Sequence, residues 1–217
     1  MAEIKIVCTD LDGTLAQYDR GEFHSSWDAL AWVLPDDRRK EWDENLKKYY
    51  PRPDLYEEWN RKDAQLLKGI PIKDAEKVLF PIPYSPGARE FFIEKSGRYI
   101  TGILSSGIDI VARRACQELG MNFWRANVFG VRNGRFDGSV EQIDMWRKHE
   151  VLLEILAEEF PGIKPENVCY VGDHEIDIAV FKVVGLPIAM NPKNNDVVEA
   201  AEGRVITDFR ELEEYLT

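Results

Sequence analysis

Asp10 and Asp12 stand two residues apart in Asp10-Leu11-Asp12-Gly13-Thr14, and a second acidic pair, Asp173 and Asp177, follows Gly172 far along the chain. Between the two pairs lie Ser105-Ser106-Gly107 and, further on, Lys148. Carboxylates, a hydroxyl beside a glycine and an ammonium are the parts that handle a phosphoryl group, if the fold gathers them. Gathering them is costly, because two carboxylates about 4 Å apart repel by roughly 4 kcal/mol at an effective dielectric near 20. A divalent cation relieves that repulsion. The all-oxygen set Asp10 and Asp173, with Asp177 as a further candidate, suits Mg²⁺, whereas zinc prefers His or Cys.

The elements that must position these residues follow from the apolar pattern. Short β-branched runs at 4–9, 99–105, 167–172, 186–190 and 204–206 alternate with amphipathic stretches near 86–95, 108–119, 147–160, 176–184, 197–201 and 209–215. That alternation predicts an α/β fold, with a parallel sheet covered by helices. In such a sheet the crevice lies beyond the carboxyl ends of the strands. The acidic and Ser-Ser-Gly segments close three of the strand runs, and Lys148 stands near the start of the helix that precedes the last of these, 167–172. Runs 127–131 and 136–140 flank Asn133-Gly134 and predict a β-hairpin.

Between Leu15 and Tyr84 no strand pattern is found, but three helical faces are: Trp27, Leu30, Ala31 and Leu34; Trp42, Leu46, Tyr49 and Tyr50; Leu55, Trp59 and Leu66. The stretch reads as a helical insertion that re-enters the core through Pro81-Ile82-Pro83-Tyr84-Ser85-Pro86, a segment suited to a hinge or a rigid connector. The expected division is 1–15 and 85–217 for the core and 16–84 for the insertion.

Composition bounds the partners. A net charge of −11 repels phosphate backbones and anionic lipid, which argues against nucleic acid and membrane surfaces. No long apolar run or secretory pattern appears, so a cytoplasmic location is expected. Cys8, Cys116 and Cys169 read as reduced, buried thiols rather than a disulfide framework.

The order and spacing of Asp10-Leu11-Asp12-Gly13-Thr14, Ser105, Lys148 and Gly172-Asp173-His174-Glu175-Ile176-Asp177 resembles the haloacid dehalogenase-like (HAD) phosphohydrolase superfamily over 4–15 and 86–217. The resemblance implies a doubly wound, Rossmann-like core carrying a small all-helical cap after the first strand. It further implies a Mg²⁺-dependent phosphatase of small phosphorylated metabolites, with Asp10 as the nucleophile that becomes an aspartyl-phosphate and Asp12 as the general acid and base. Lys148 would neutralise charge, and Ser105, Ser106 and Gly107 would bind the phosphoryl oxygens, helped by backbone N–H groups at Leu11 and Asp12. Asp10, Asp12, Asp173 and Asp177 form the candidate metal set. The segment 123–140, the Lys148 helix and the tail 185–191 are similar to phosphoserine phosphatases. The chain departs from them in carrying Ile176 where they have Asn and Asp19 where they have Glu. Phosphoglycolate-type hydrolysis and phosphomutase chemistry stay open as alternatives, with a receiver-like phosphoacceptor or a catalytically silent protein as remoter ones. Asp19, Arg20 and Glu22 lie where a cap residue can reach the far end of a substrate.

Overall fold

A strand buried on both faces needs apolar residues at every position, and the five short β-branched runs supply them. The computed structural model describes residues 2–18, 25–95 and 97–216. Its strands are β1 (Ile6–Thr9), β2 (Ile100–Ile108), β3 (Phe123–Arg132), β4 (Arg135–Glu141), β5 (Val168–Gly172), β6 (Leu186–Met190) and β7 (Val205–Ile206). They form one sheet of order β4-β3-β2-β1-β5-β6-β7. All pairings are parallel except β3 with β4. The order reverses at β1, which pairs with β2 on one side and β5 on the other. This is the doubly wound arrangement expected from the sequence, and its switch point lies at the carboxyl end of β1.

Helices α1 (Ser26–Ala31), α2 (Asp36–Tyr49), α3 (Tyr56–Leu67) and α4 (Ile72–Leu79) follow β1. The core helices are α5 (Ala88–Glu94), α6 (Asp109–Leu119), α7 (Lys148–Glu158), α8 (Ile178–Phe181) and α9 (Asn195–Ala200). Alternating side chains of the central strands feed two cores. Val7, Ile103 and Val171 pack with Phe91, Val111 and Phe209 on one face. Ile6, Leu104 and Tyr170 pack with Leu152, Ile155 and Val180 on the other.

Several details differ from the sequence expectation. The insertion holds a fourth helix, α4, whose stripe of Ala75 and Leu79 is too short to stand out in the sequence. Helix α1 stops at Ala31, before Pro35, so Leu34 is buried from a turn rather than from the helix. Strand β3 begins at Phe123, because its first half pairs in parallel with β2 before its second half turns antiparallel to β4. The hairpin is therefore part of the main sheet. The stretch expected to be a helix from 176 begins instead as a 3-10 turn, Glu175–Asp177, before α8.

The hairpin also carries the inserted helices. Gly69 N donates to Phe136 O at 2.8 Å, Phe136 N to Ile70 O at 3.0 Å, and Gln65 Nε2 to Gly138 O at 2.7 Å. Phe129 of β3 sits 5.4 Å from the Trp27 ring and 5.9 Å from Phe136, centroid to centroid. The apolar cluster of the insertion is continuous with that of the core, from Leu30, Leu67 and Leu79 through Phe129 to Ile103. At the re-entry, Gln17 N donates to Pro83 O at 2.8 Å and Ser85 N to Leu15 O at 2.9 Å, so the outgoing and returning chains are paired as a rigid connector. Cys8, Cys116 and Cys169 are free and buried, as expected. Among the described residues no helix is long and apolar enough to cross a membrane.

Candidate active site

Strand β1 delivers Asp10 to the switch point, where its own N–H donates to Val171 O of β5 at 2.8 Å. Its carboxylate is 3% exposed. Lys148, fully buried at the first turn of α7, reaches across with Nζ 3.3 Å from Asp10 Oδ2 and in close contact with Asp177 Oδ1. The Tyr170 hydroxyl accepts from Lys148 Nζ at 3.2 Å and donates to Asp177 Oδ1 at 3.0 Å. The second Asp177 oxygen accepts from the Asp173 and His174 N–H groups, each at 3.1 Å. That capping folds the segment into a 3-10 turn and points Asp177 back at the lysine.

Asp173 is held from the first loop, whose Thr14 Oγ1 donates to its Oδ1 at 2.8 Å, while Lys193 Nζ lies 3.8 Å from Oδ2. Gly13, at φ +80°, lets the two segments approach this closely. A Cβ there would sit 2.3 Å from Asp173 Oδ2.

Strand β2 does not stop at Ser105. It runs on to Ile108 with a register shift against β3 between Leu104 and Ile108, so the Ser-Ser-Gly segment lies in an irregular stretch of the strand. Ser105 is buried and Ser106 half-buried. Asn127 Nδ2 fixes the bend by donating to Ser106 O at 2.6 Å, and the Gly107 N–H is taken by Ser105 Oγ at 3.0 Å. A Cβ on Gly107 would come within 2.7 Å of Asp12 Oδ2.

Burial governs the electrostatics. It pushes Asp10 up to about 6, with Lys148 pulling the other way and the Asp177 charge adding to the rise. It takes Asp173 to about 8, helped by the Asp177 and Asp10 charges. For Lys148 burial disfavours the ammonium, yet Asp10 and Asp177 outweigh it and raise its pKa. Asp10, Asp173 and Asp177 offer carboxylate oxygens that all lie within 4.8 Å of one another. Asp10 Oδ1 is buried without a hydrogen-bond partner. A dense set of hard oxygen donors with one unsatisfied buried oxygen fits a divalent cation of the Mg²⁺ class.

Asp12 stands apart from this triad. Its Oδ1 accepts from the Ser26 N–H at 2.8 Å and its Oδ2 from Ser26 Oγ at 2.7 Å, so the start of α1 grips it. Burial raises its pKa to about 7, with the Ser26 hydrogen bonds opposing. It is a carboxyl able to hold and release a proton near neutrality, and its side chain does not join the candidate metal cluster.

The groups gathered by the fold are therefore Asp10, Lys148, Asp173 and Asp177, with Asp12, Ser105 and Gly107 on the wall of one cavity of about 580 Å³. Four contributors have no role assigned by the sequence alone: Thr14, which stands in the first motif, and Ser26, Tyr170 and Lys193. Ser25-Ser26-Trp27-Asp28 did carry a visible capping signal, since Ser25 Oγ accepts from Asp28 N at 3.1 Å. Asp19, Arg20 and Glu22 lie outside the described residues.

The profile of the haloacid dehalogenase-like hydrolases matches residues 7–182, and the chain belongs to that family. Among curated relatives, phosphoserine phosphatase from Methanocaldococcus jannaschii is 36% identical over 141 residues, 64% of this chain and 66% of that one. The Archaeoglobus fulgidus phosphoserine phosphatase is 34% identical over 133 residues, 60% of this chain and 38% of that one. The aligned part of the chain thus spans less than two thirds of the length of these relatives. A solved phospho-aspartyl intermediate analogue of phosphoserine phosphatase superposes with a TM-score of 0.77 at 30% identity, over 100% of both chains.

Proposed function

We propose that this protein is a Mg²⁺-dependent phosphatase that hydrolyses a small phosphate monoester through an aspartyl-phosphate on Asp10. The observation that carries the reading is the buried Asp10 carboxylate, paired with Lys148 at 3.3 Å and opening by an unpartnered oxygen onto the cavity. Similarity to phosphoserine phosphatases, one of them trapped as a phospho-aspartyl analogue, supports the same chemistry.

Asp10, Asp173 and Asp177 would hold the Mg²⁺, which when bound supplies positive charge beside the transferring phosphoryl group. The remaining work belongs to the chain. Asp10 attacks phosphorus in line with the ester oxygen, and as that P–O bond breaks Asp12 gives its proton to the leaving alkoxide. Asp12, now a carboxylate, then takes a proton from the water that attacks the acyl phosphate, releasing phosphate and restoring Asp10. A pKa near 7 suits a group that must serve as acid and then as base. Lys148 keeps Asp10 oriented and neutralises charge on the phosphoryl oxygens, and the Ser105 hydroxyl donates to one of them.

Residues 16–84 act as a cap over this site, closing a cavity of about 580 Å³ that suits a metabolite rather than a polymer. The net charge of −11 adds a general repulsion of nucleic acid and anionic membrane. The test is phosphate release from a panel of small esters with Mg²⁺ and with a chelator. Release that needs Mg²⁺ and vanishes in Asp10→Asn is expected. Metal-independent release, or near-normal turnover by Asp10→Asn, overturns the reading.

A further inference from the structure

The cavity has two chemically different ends. Asp10, Asp12, Ser105 and Asp173 surround the phosphoryl position, and Lys193 reaches the cavity beside Asp173. Another part of the wall, formed by the end of α2, α3 and the loop before α7, presents Leu46, Tyr50, Tyr56, Trp59 and Met145, and the Tyr50 hydroxyl lies 3.3 Å from His174 Nε2. These side chains belong to the small apolar cluster that joins the inserted helices to the core, or pack edge-on against it.

A substrate with a carboxylate on its alcohol part needs a cation near the rings, and among the described residues no lysine or arginine of the insertion lines the cavity. Three described arginines of the insertion are occupied elsewhere. Arg38 donates to the carbonyls of Leu66 and Lys68 at 2.9 and 3.0 Å, Arg52 pairs with Asp54, and Arg61 with Glu57. None of the three lines the cavity.

What the cavity does offer is a carboxylate and aromatic rings. Asp28 lines the cavity, its Oδ2 accepting from Ser25 Oγ at 2.8 Å, and no described lysine or arginine pairs with it. The Trp59 ring meets Tyr50 at 6.4 Å and 83°, and Tyr56 at 6.1 Å and 87°, so both tyrosine rings stand edge-on to the tryptophan. A carboxylate and aromatic rings lining one part-desolvated cavity make an environment that attracts an alkylammonium group, through ring quadrupoles and direct charge.

Resting on the phosphatase reading above, we infer that the substrate is the phosphate monoester of a short alkylammonium alcohol, its cationic end seated between Asp28 and the Tyr50, Tyr56 and Trp59 rings. Hydrolysis then breaks the P–O bond of the ester, the Asp12 proton goes to the amino-alcohol oxygen, and water supplies the hydroxyl that leaves with phosphate. No further reactant is needed.

The test measures kcat/KM of the full chain with Mg²⁺ for choline phosphate, ethanolamine phosphate, phosphoserine and neohexyl phosphate, the uncharged carbon isostere of choline phosphate. The alkylammonium esters are expected to exceed both others by about tenfold or more, the size of a desolvated cation–π contact. Asp28→Asn should lower the ratio of choline phosphate to neohexyl phosphate by about threefold or more, the part due to the rings remaining. Should that variant not fold, free choline must inhibit the wild-type protein competitively at concentrations where neohexanol does not. A preference for phosphoserine, or equal use of the neohexyl ester, overturns the substrate class and leaves the phosphatase intact. Absence of turnover on every ester overturns the phosphatase reading and the substrate class together.

Discussion

Lys148→Met removes a cation buried against two carboxylates. At 3.3 Å from Asp10 and an effective dielectric near 20, that attraction alone amounts to about 5 kcal/mol before desolvation is set against it. Truncating one partner of a buried pair typically costs ~3–5 kcal/mol. The variant has an escape, because a carboxyl can take up a proton. Asp10 is already pushed up to about 6 by burial while Lys148 holds it down, so loss of the lysine sends it higher. A carboxyl whose folded pKa lies above its unfolded value contributes stability that is complete at low pH and lost as pH rises through the folded pKa. In Lys148→Met that loss continues to a higher pH than in the wild type. The variant should therefore fall further behind above pH 6 or so, reaching a deficit of about 3 kcal/mol near pH 8 and a smaller one near pH 5. Urea unfolding in chelator, followed by tryptophan fluorescence at both pH values, measures it. A deficit below about 1 kcal/mol at pH 8, or one equal at both, would refute the coupling of Lys148 to the buried acids.

Ser26→Ala removes a hydroxyl that lowers the Asp12 pKa from its burial-raised position. The alkaline limb of kcat/KM, where Asp12 must still carry its proton, should move up by roughly half to one pH unit, and an unmoved limb would remove Asp12 as the group titrating there. Asp63, buried in the insertion, is raised to about 7 by burial although Asn45 Nδ2 and Trp27 Nε1 donate to it at 2.8 and 3.2 Å. Its stabilisation is complete below the unfolded pKa and lost as pH rises through 7, so wild type minus Asp63→Asn in unfolding free energy should fall by roughly 1.4 kcal/mol per pH unit at its steepest, and a flat difference contradicts the buried acid. Gly13→Ala places a Cβ against Asp173 at a positive φ, and calorimetry should show Mg²⁺ affinity reduced by tenfold or so, whereas wild-type affinity would mean the loop does not position Asp173.

The parts of the site legible in the sequence are those fixed by a strand end. Asp10 and Asp173 each directly follow a short, largely apolar run that is buried throughout, and an open parallel sheet turns that one-dimensional position into a shared edge. Lys148 was legible by its place at the start of α7, although nothing in the sequence distinguishes a buried lysine from a solvated one. Its burial follows from the Asp177 and Tyr170 contacts, which depend on a 3-10 turn that helical periodicity hides. Ser26 was not legible as the partner of Asp12, because its position comes from the packing of α1 against the hairpin, carried by Trp27 on Phe129. The first half of β3 was missed because Trp124 and Arg125 interrupt the apolar alternation, while the register with β2 is set by tertiary pairing. The same tertiary origin hides the bend at Ser105, where an Asn127 side chain on the neighbouring strand holds the backbone.

The claim on which the account depends is that Asp10 becomes covalently phosphorylated. Acid quenching of the protein during turnover of a radiolabelled phosphate ester in Mg²⁺, followed by peptide mapping, tests it directly. The label should appear on the peptide that contains Asp10, be released by hydroxylamine as an acyl phosphate is, and be absent from Asp10→Asn. Full-rate phosphate release with no label on the protein, or label on a different residue, would contradict it.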